Sequence, residues 1–556
     1  MSEGDISGMS ATTIPPLIRL AVSLHAEGRS DDAEMLLTES SALVPSRLDF
    51  REALAELLYA RGHIVKGLEA LCRLIDAGYA RDLISARFAP LLDRAFKECE
   101  TLYNNKEAES ALLYLRPMIE ILPQHVGVLS MALSCSRFLG TDELSDQLVH
   151  RVLALDPRDD TARMEMIDHL HRVGDLEAEL RCRDELMMDD PPTIPKLNHI
   201  WNAYELINQT ISDPLTAESM DRIVRAQQVL DRVPHDEAAE SGPDAWARFC
   251  RAMAGGIDLA ALRKPPAPPH PAPALFAHDG TPLSVGQLRD LAARKGAKAV
   301  FVVAADEVYV QHYARPYARS VLRNAGLPVL VIIHVVGGRA RIGEIARQVG
   351  IADEGLVFSA DDFSPASFAS RVLDAPTQPP ITKPTAHYQS ARFDQAPWIL
   401  SELGLPLFVT DVDCLLERDV LDLVADGNTA DVLLNENVVM RQLGARITAN
   451  LLLLFPTPHA RTFACFVSSY LDAMLRRRFI PKFIDQIALL MGRHYMQANH
   501  RDAKFGYFDV DSDINNCIFT AYYAHPFRFL SLYHGFDMSS LPDAITGAET
   551  DLQKAD

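Results

Sequence analysis

"AKAVFVVAAD", residues 297–306, is followed by "VQHYARPYARSVLRNAG" (310–326) and "LPVLVIIHVV" (327–336). The outer segments are short β-branched runs. The middle one has helical spacing and ends on Gly. This order reads as strand, helix and parallel strand. The alternation continues, with "RIGEIARQVG" (341–350) as a helix, "GLVFSA" (355–360) as a strand and "PASFASRVLD" (365–374) as a helix. "AHYQSARFDQAPWILSELG" (386–404) then reads as a longer helix, and "LPLFVT" (405–410) as a strand. Such a pattern predicts an open α/β domain with a mixed, mostly parallel sheet, whose ligands bind outside the carboxyl ends of its strands.

Two of those ends carry acids. Asp306 closes the first strand, and Asp411 and Asp413 stand in "PLFVTDVDCLLERDV" (406–420), where the acidic–basic stretch after the pair reads as a helix start. In extended backbone, residues i and i+2 point the same way. Two carboxylates facing one crevice repel unless a cation neutralises them. A hard divalent ion, Mg²⁺ or Mn²⁺, does so and usually also takes substrate phosphates. A second chemistry uses the same pattern. In haloacid-dehalogenase-type phosphatases an apolar strand leads into D-x-D, usually with Thr two residues on; Leu415 stands there in this chain.

The N-terminal half is organised differently. Gly28 and Gly62 are 34 residues apart, as are Gly140 and Gly174, and Pro123, Pro157 and Pro191 keep the period. Gly28 to Pro45, Gly140 to Pro157 and Gly174 to Pro191 each span 17 residues. "IRLAVSLHAEGRSDDAEMLLTESSALVP" (18–45) reads as two amphipathic helices, with Gly at the turn and Pro as the stop. These units resemble the tetratricopeptide repeat, with Ala33 at the small-residue position where helices pack closely. About ten extra residues separate the second and third units, and the third lacks the Gly. Helical pattern runs to about residue 262. "KPPAPPHPAPA" (264–274) then reads as a polyproline-like linker.

The expected organisation is multidomain: tail 1–13, helical-repeat solenoid 14–262, linker 263–275, α/β domain 276–540 and tail 541–556. The 556-residue length is too great for one ordinary core. The net charge of −21 disfavours non-specific nucleic-acid binding. No apolar run is long enough for a membrane span, and no secretory signal is visible. The eight cysteines are scattered without a CxxC, which suits reduced thiols in the cytoplasm.

Residues 299–536 resemble the GT-A fold glycosyltransferases that use nucleotide sugars, most nearly glycosyltransferase family 8. The segment "VFVVAADEVYV" looks like that family's nucleotide-binding start, which implies uracil and ribose contacts from Ala304, Ala305, Asp306 and Tyr309. "SARFDQAPWIL" resembles the helix whose Arg reaches the diphosphate, here Arg392. "LFVTDVDCLL" resembles the D-x-D strand, with Asp411 near ribose and metal and Asp413 on the metal. "ITANLLLLF" (447–455) implies Asn450 facing the donor sugar, and "FIDQIAL" (483–489) implies Asp485 and Gln486 beside the reacting sugar. "LYHGFD" (532–537) resembles the C-terminal segment whose His, here His534, is the third metal ligand.

Simpler roles stay open beside these. Asp306 and Asp485 are also suited to capping helices, Arg392 to a surface ion pair and His534 to a surface hydrogen bond. The expectation is a metal-dependent glycosyltransferase, UDP-sugar favoured, acting on a protein or peptide acceptor bound by the repeats. A glycan or lipid-linked acceptor is the alternative within that class. The repeats also offer a surface for self-association. The other class is a repeat scaffold with a degenerate transferase domain. It draws on Leu451 and Leu452, which stand where the family has small residues, and on the missing Lys after His534.

Overall fold

The computed structural model describes residues 16–44, 48–188, 196–211, 214–233, 236, 239, 241–425, 428–436, 443, 446–509, 514–515 and 529–531. The tails at 1–13 and 541–556 and His534 lie outside them. The chain forms two compact units, residues 1–194 and 195–556.

The first unit is a stack of helix pairs: Pro16–Ala26 with Ser30–Leu43, Leu48–Ala60 with Ile64–Asp76, Ala89–Asn104 with Ala108–Ile121, Val126–Leu139 with Asp142–Leu155, and Asp160–Val173 with Leu176–Met188. The turn of each pair needs one left-handed residue. Gly28, Gly62, Gly140 and Gly174 supply it at φ 66 to 80°. In the third pair Lys106 takes that place at φ 66°, the one non-Gly residue with positive φ among the described residues. Its amide donates to Tyr103 O at 2.9 Å and that of Glu107 to Leu102 O at 2.8 Å, as Gly28 and Arg29 do to His25 O and Leu24 O. Five residues beyond each turn the side chain is buried and mostly small: Ala33, Gly67, Ala111 and Ser145. The fifth pair puts Glu179 there, buried and paired with Arg183 Nη2 at 2.8 Å. The extra residues before the third pair form the helix Arg81–Arg87.

The second unit opens with helices Lys196–Ile211, Ala217–Arg232 and Gly242–Gly255. The split expected at 263–275 falls inside this unit. Its helices bond to the α/β part. Asn208 Oδ1 accepts from Leu443 N at 2.9 Å, Ile211 O contacts His494 Nε2 at 2.8 Å, and Tyr470 OH donates to Gly256 O. Residues 264–273 form neither helix nor strand and are mostly exposed, with Ala267 N tied to Ser469 Oγ at 3.0 Å.

The strands are β1 (Ala274–Ala277), β2 (Pro282–Leu283), β3 (Ala299–Ala305), β4 (Val329–Val335), β5 (Leu356–Ala360), β6 (Arg371–Leu373), β7 (Leu407–Thr410), β8 (Cys414–Leu416), β9 (Val432–Glu436), β10 (Ile447–Leu454), β11 (Phe479–Pro481) and β12 (Phe505–Tyr507). Nine form one sheet in the order β12-β9-β10-β7-β3-β4-β5-β1-β2. Strands β7, β3, β4 and β5 are parallel, while β10 runs against β7 and β1 against β5. The parallel strands are wholly buried, which explains their continuous β-branched runs. Phe301 and Phe408 stack across β3 and β7 with centroids 4.4 Å apart.

Two expected helices are absent. Residues 365–374 form a single 3₁₀ turn, Pro365–Ser367, then β6, which pairs in parallel with β11. The segment is short; Ser367 Oγ turns back to donate to Ser364 O at 2.7 Å, and Ser370 Oγ donates to the distant Leu475 O at 2.7 Å. After Asp413 the chain enters β8, because Cys414, Leu415 and Leu416 are buried in the sheet core. No helix among the described residues is long and apolar enough to cross a membrane.

Candidate functional site

The carboxyl ends of β3 and β7 and the start of the helix Thr385–Leu403 enclose a cavity of about 200 Å³. Its lining includes Ala304, Ala305, Asp306, Tyr309, Arg392, Asp411 and Asp413, all of them singled out in the sequence. Lys383, Thr385, Tyr388, Gln389 and Val412 complete it.

Asp306 holds two positions at once. It is the N-cap of the helix Glu307–Asn324, its Oδ1 accepting from Tyr309 N at 2.9 Å. Its Oδ2 lies 3.2 Å from Lys383 Nζ. Capping and lining the cavity are therefore compatible roles, one per oxygen.

Asp411 and Asp413 sit in a turn, with Cys414 N donating to Asp411 O at 3.2 Å. Val412 between them is buried in the core, which leaves both carboxylates to the cavity. Burial, and then the Asp411 charge beside it, push the Asp413 carboxyl well above the usual carboxylate range. A divalent cation would remove that penalty, so the pair fits a hard metal ion with two oxygen donors. Among the described residues no three His, Cys, Asp or Glu side chains converge as a metal site. His534 is outside that set of residues.

Arg392 is not a surface residue. Its side chain is 3% exposed and ties together three elements. Nη1 donates to Asp411 Oδ1, while Nη2 donates to Ala449 O at 3.0 Å and lies 3.4 Å from Asp485 Oδ2. Asp485 stands in the first turn of the helix Ile484–Asn499, whose N-cap is Phe483. It faces Arg392, and burial pushes its carboxyl up to about 6 against the pull of that guanidinium. Gln486 follows it with a buried Oε1 that has no hydrogen-bond partner among the described residues.

Asn450 lies where β10 changes register against β9, between Thr448 and Leu452. Such a bulge re-aims side chains. Asn450 Oδ1 accepts from Asn435 Nδ2 at 2.8 Å, and its carbonyl accepts from Asp411 N at 3.3 Å. It borders the acidic turn without lining the cavity. Leu451 and Leu452 are buried in the sheet, so they do not fill the pocket.

Four of the lining residues went unnoticed in the sequence. Lys383, Thr385, Tyr388 and Gln389 belong to "KPTAHYQ" (383–389), at the head of the helix that carries Arg392. The spacing was a usable signal: Thr385, Tyr388, Gln389 and Arg392 share one helical face.

No protein-family model matches this chain, and no curated protein matches it in sequence. Similar solved structures include repeat proteins and glycosyltransferases. A tetratricopeptide repeat protein from Parabacteroides merdae is 15% identical, with a TM-score of 0.21, over 43% of this chain and 84% of its own. Mouse xyloside xylosyltransferase 1 is 12% identical, with a TM-score of 0.26, over 42% of this chain and 97% of its own. The galactosyltransferase LgtC, solved with donor and acceptor sugar analogs, is 16% identical, with a TM-score of 0.27, over 42% of this chain and 87% of its own.

Proposed function

We propose that this protein is a metal-dependent glycosyltransferase that moves a sugar from a nucleotide donor, with UDP-sugars favoured, to a protein or peptide acceptor recruited by the repeats. One observation carries the reading. Ala304, Ala305, Asp306, Tyr309, Arg392, Asp411 and Asp413, chosen from separate stretches of sequence, line one cavity at the carboxyl ends of parallel strands.

In this reading Asp411 and Asp413 would hold Mn²⁺ or Mg²⁺, which would supply positive charge beside the diphosphate leaving group. Asp306 and the backbone of Ala304 and Ala305 orient the nucleoside, with Tyr309 beside them. Arg392 fixes Asp411 and Asp485 in place. Asp485, Gln486 and Asn450 do not line this cavity; their assignment to the donor sugar rests on the sequence resemblance. The unpartnered Gln486 Oε1 suits a hydroxyl donor from that sugar. Helical repeats suit extended peptides, which supports a protein acceptor.

The test is release of nucleotide from a panel of nucleotide sugars by the full-length protein, with and without Mn²⁺. Turnover of one donor, dependent on Mn²⁺ and lost in Asp413→Asn without loss of thermal stability, is the expected result. Turnover of no donor, or equal turnover in Asp413→Asn, would overturn it.

A further inference from the structure

The cavity is lined by three carboxylates, Asp306, Asp411 and Asp413, and two cations, Arg392 and Lys383. The cations differ in freedom. Arg392 is buried, with Nη1 on Asp411 and Nη2 on Ala449 O and near Asp485. Turning it toward a ligand strips two carboxylates of their counter-charge, which is costly in a buried setting. Lys383 is 56% exposed along its side chain. Its ammonium rests 3.2 Å from Asp306 Oδ2 and 5.8 Å from the Tyr388 ring centre. A half-exposed pair of this kind is weak, and an ammonium has three donors to offer.

Its base is fixed even though its tip is free. Pro384 follows and is buried, and a residue before Pro is confined to extended backbone. The helix Thr385–Leu403 begins immediately afterwards, without an acidic residue in its first turn. Thr385 and Gln389 line the same cavity, and their Oγ1 and Oε1 are buried without a hydrogen-bond partner among the described residues.

We propose that Lys383 is a phosphate-binding residue: it leaves Asp306 to grip the anionic oxygens of the donor's diphosphate, at the end of the cavity where Thr385 opens the helix. The proposal rests on the nucleotide-donor reading above. Its movement frees Asp306 Oδ2 to accept from the nucleoside, so one ion pair is exchanged for two ligand contacts. The helix start adds a favourable field for an anion.

The experiment is calorimetric titration of the full-length protein with UDP and, separately, uridine, in Mn²⁺, for wild type, Lys383→Met and Lys383→Arg. Loss of one charge-assisted hydrogen bond should weaken UDP binding by about ten- to hundredfold in Lys383→Met. Uridine binding should not weaken, since Asp306 Oδ2 is already free in Lys383→Met, and Lys383→Arg should recover most of the UDP affinity. Equal UDP affinity in Lys383→Met and wild type would overturn the proposal. So would an equal loss for uridine and UDP, which would make Lys383 a support for Asp306 alone. Failure of the nucleotide reading is separately visible, as wild type that binds none of UDP, GDP or ADP in the presence of Mn²⁺.

Discussion

Arg392 Nη2 lies 3.4 Å from Asp485 Oδ2, with both side chains almost fully buried and 93 residues apart in sequence. The same guanidinium holds Asp411. Removing it leaves two carboxylates without their cation. Arg392→Ala should therefore cost about 3–5 kcal/mol of stability, the usual penalty for breaking a buried pair from one side. Arg392→Lys keeps the charge but not the planar fork, so it should recover only part of the loss. Urea unfolding of the three proteins checks this, and an Arg392→Ala curve that overlays wild type rules it out.

Asp485 makes a pH-dependent prediction. Its carboxyl is raised from 3.8 to about 6, first by burial and despite Arg392. A raised folded-state pKa means that the fold prefers the neutral acid. The group's favourable contribution is complete below about pH 4 and is lost as pH rises through about 6. Asp485→Asn imitates the neutral form at every pH. The variant should match wild type near pH 4 and exceed it at pH 7–8 by about 3 kcal/mol. Sugar transfer should nevertheless be lost. Thermal denaturation across that pH range is the measurement, and a stability difference that does not change with pH would contradict it.

Lys106 tests the repeat assignment without touching the cavity. It holds a left-handed conformation that Gly fills in the other four pairs. Lys106→Gly should stabilise the first unit by about 1 kcal/mol, since an L side chain is strained there. Gly140→Lys should destabilise by a similar amount. A lower melting temperature for Lys106→Gly would show that its turn is not equivalent to the others.

The helices before the Pro-rich stretch make a prediction about truncated chains. Residues 195–556 should fold, because they form one compact unit. A chain beginning near 275 loses the helices that satisfy His494 and Leu443 N and should aggregate. Size-exclusion profiles of the two truncated chains decide between this and a boundary at the prolines.

Much of the α/β sheet was legible because its parallel strands are buried on both faces and therefore spell continuous apolar runs. Residues 365–374 misled because ten residues of mixed Ser, Ala and Phe satisfy helical spacing by chance, and pairing of β6 with β11 is a long-range event. The Pro-rich stretch suggested a boundary that composition alone cannot place, since the packing of 196–255 on later helices leaves no mark in local sequence. In the site, the acids stood out at strand ends. Lys383 did not, because its importance comes from Asp306, which is 77 positions earlier.

The helix Arg81–Arg87 separates the second turn from the third by 44 residues, where the other neighbouring turns are 34 apart. Across this step Cys72 Sγ meets Pro117 O at 3.5 Å and Arg81 Nε donates to Glu120 O at 3.1 Å, so the second pair contacts the far helix of the third. The stack thus changes frame once. A peptide acceptor of the kind proposed above, if it lay along the stack, would meet two repeats before the step and three after it, so its own contact points would need a matching gap.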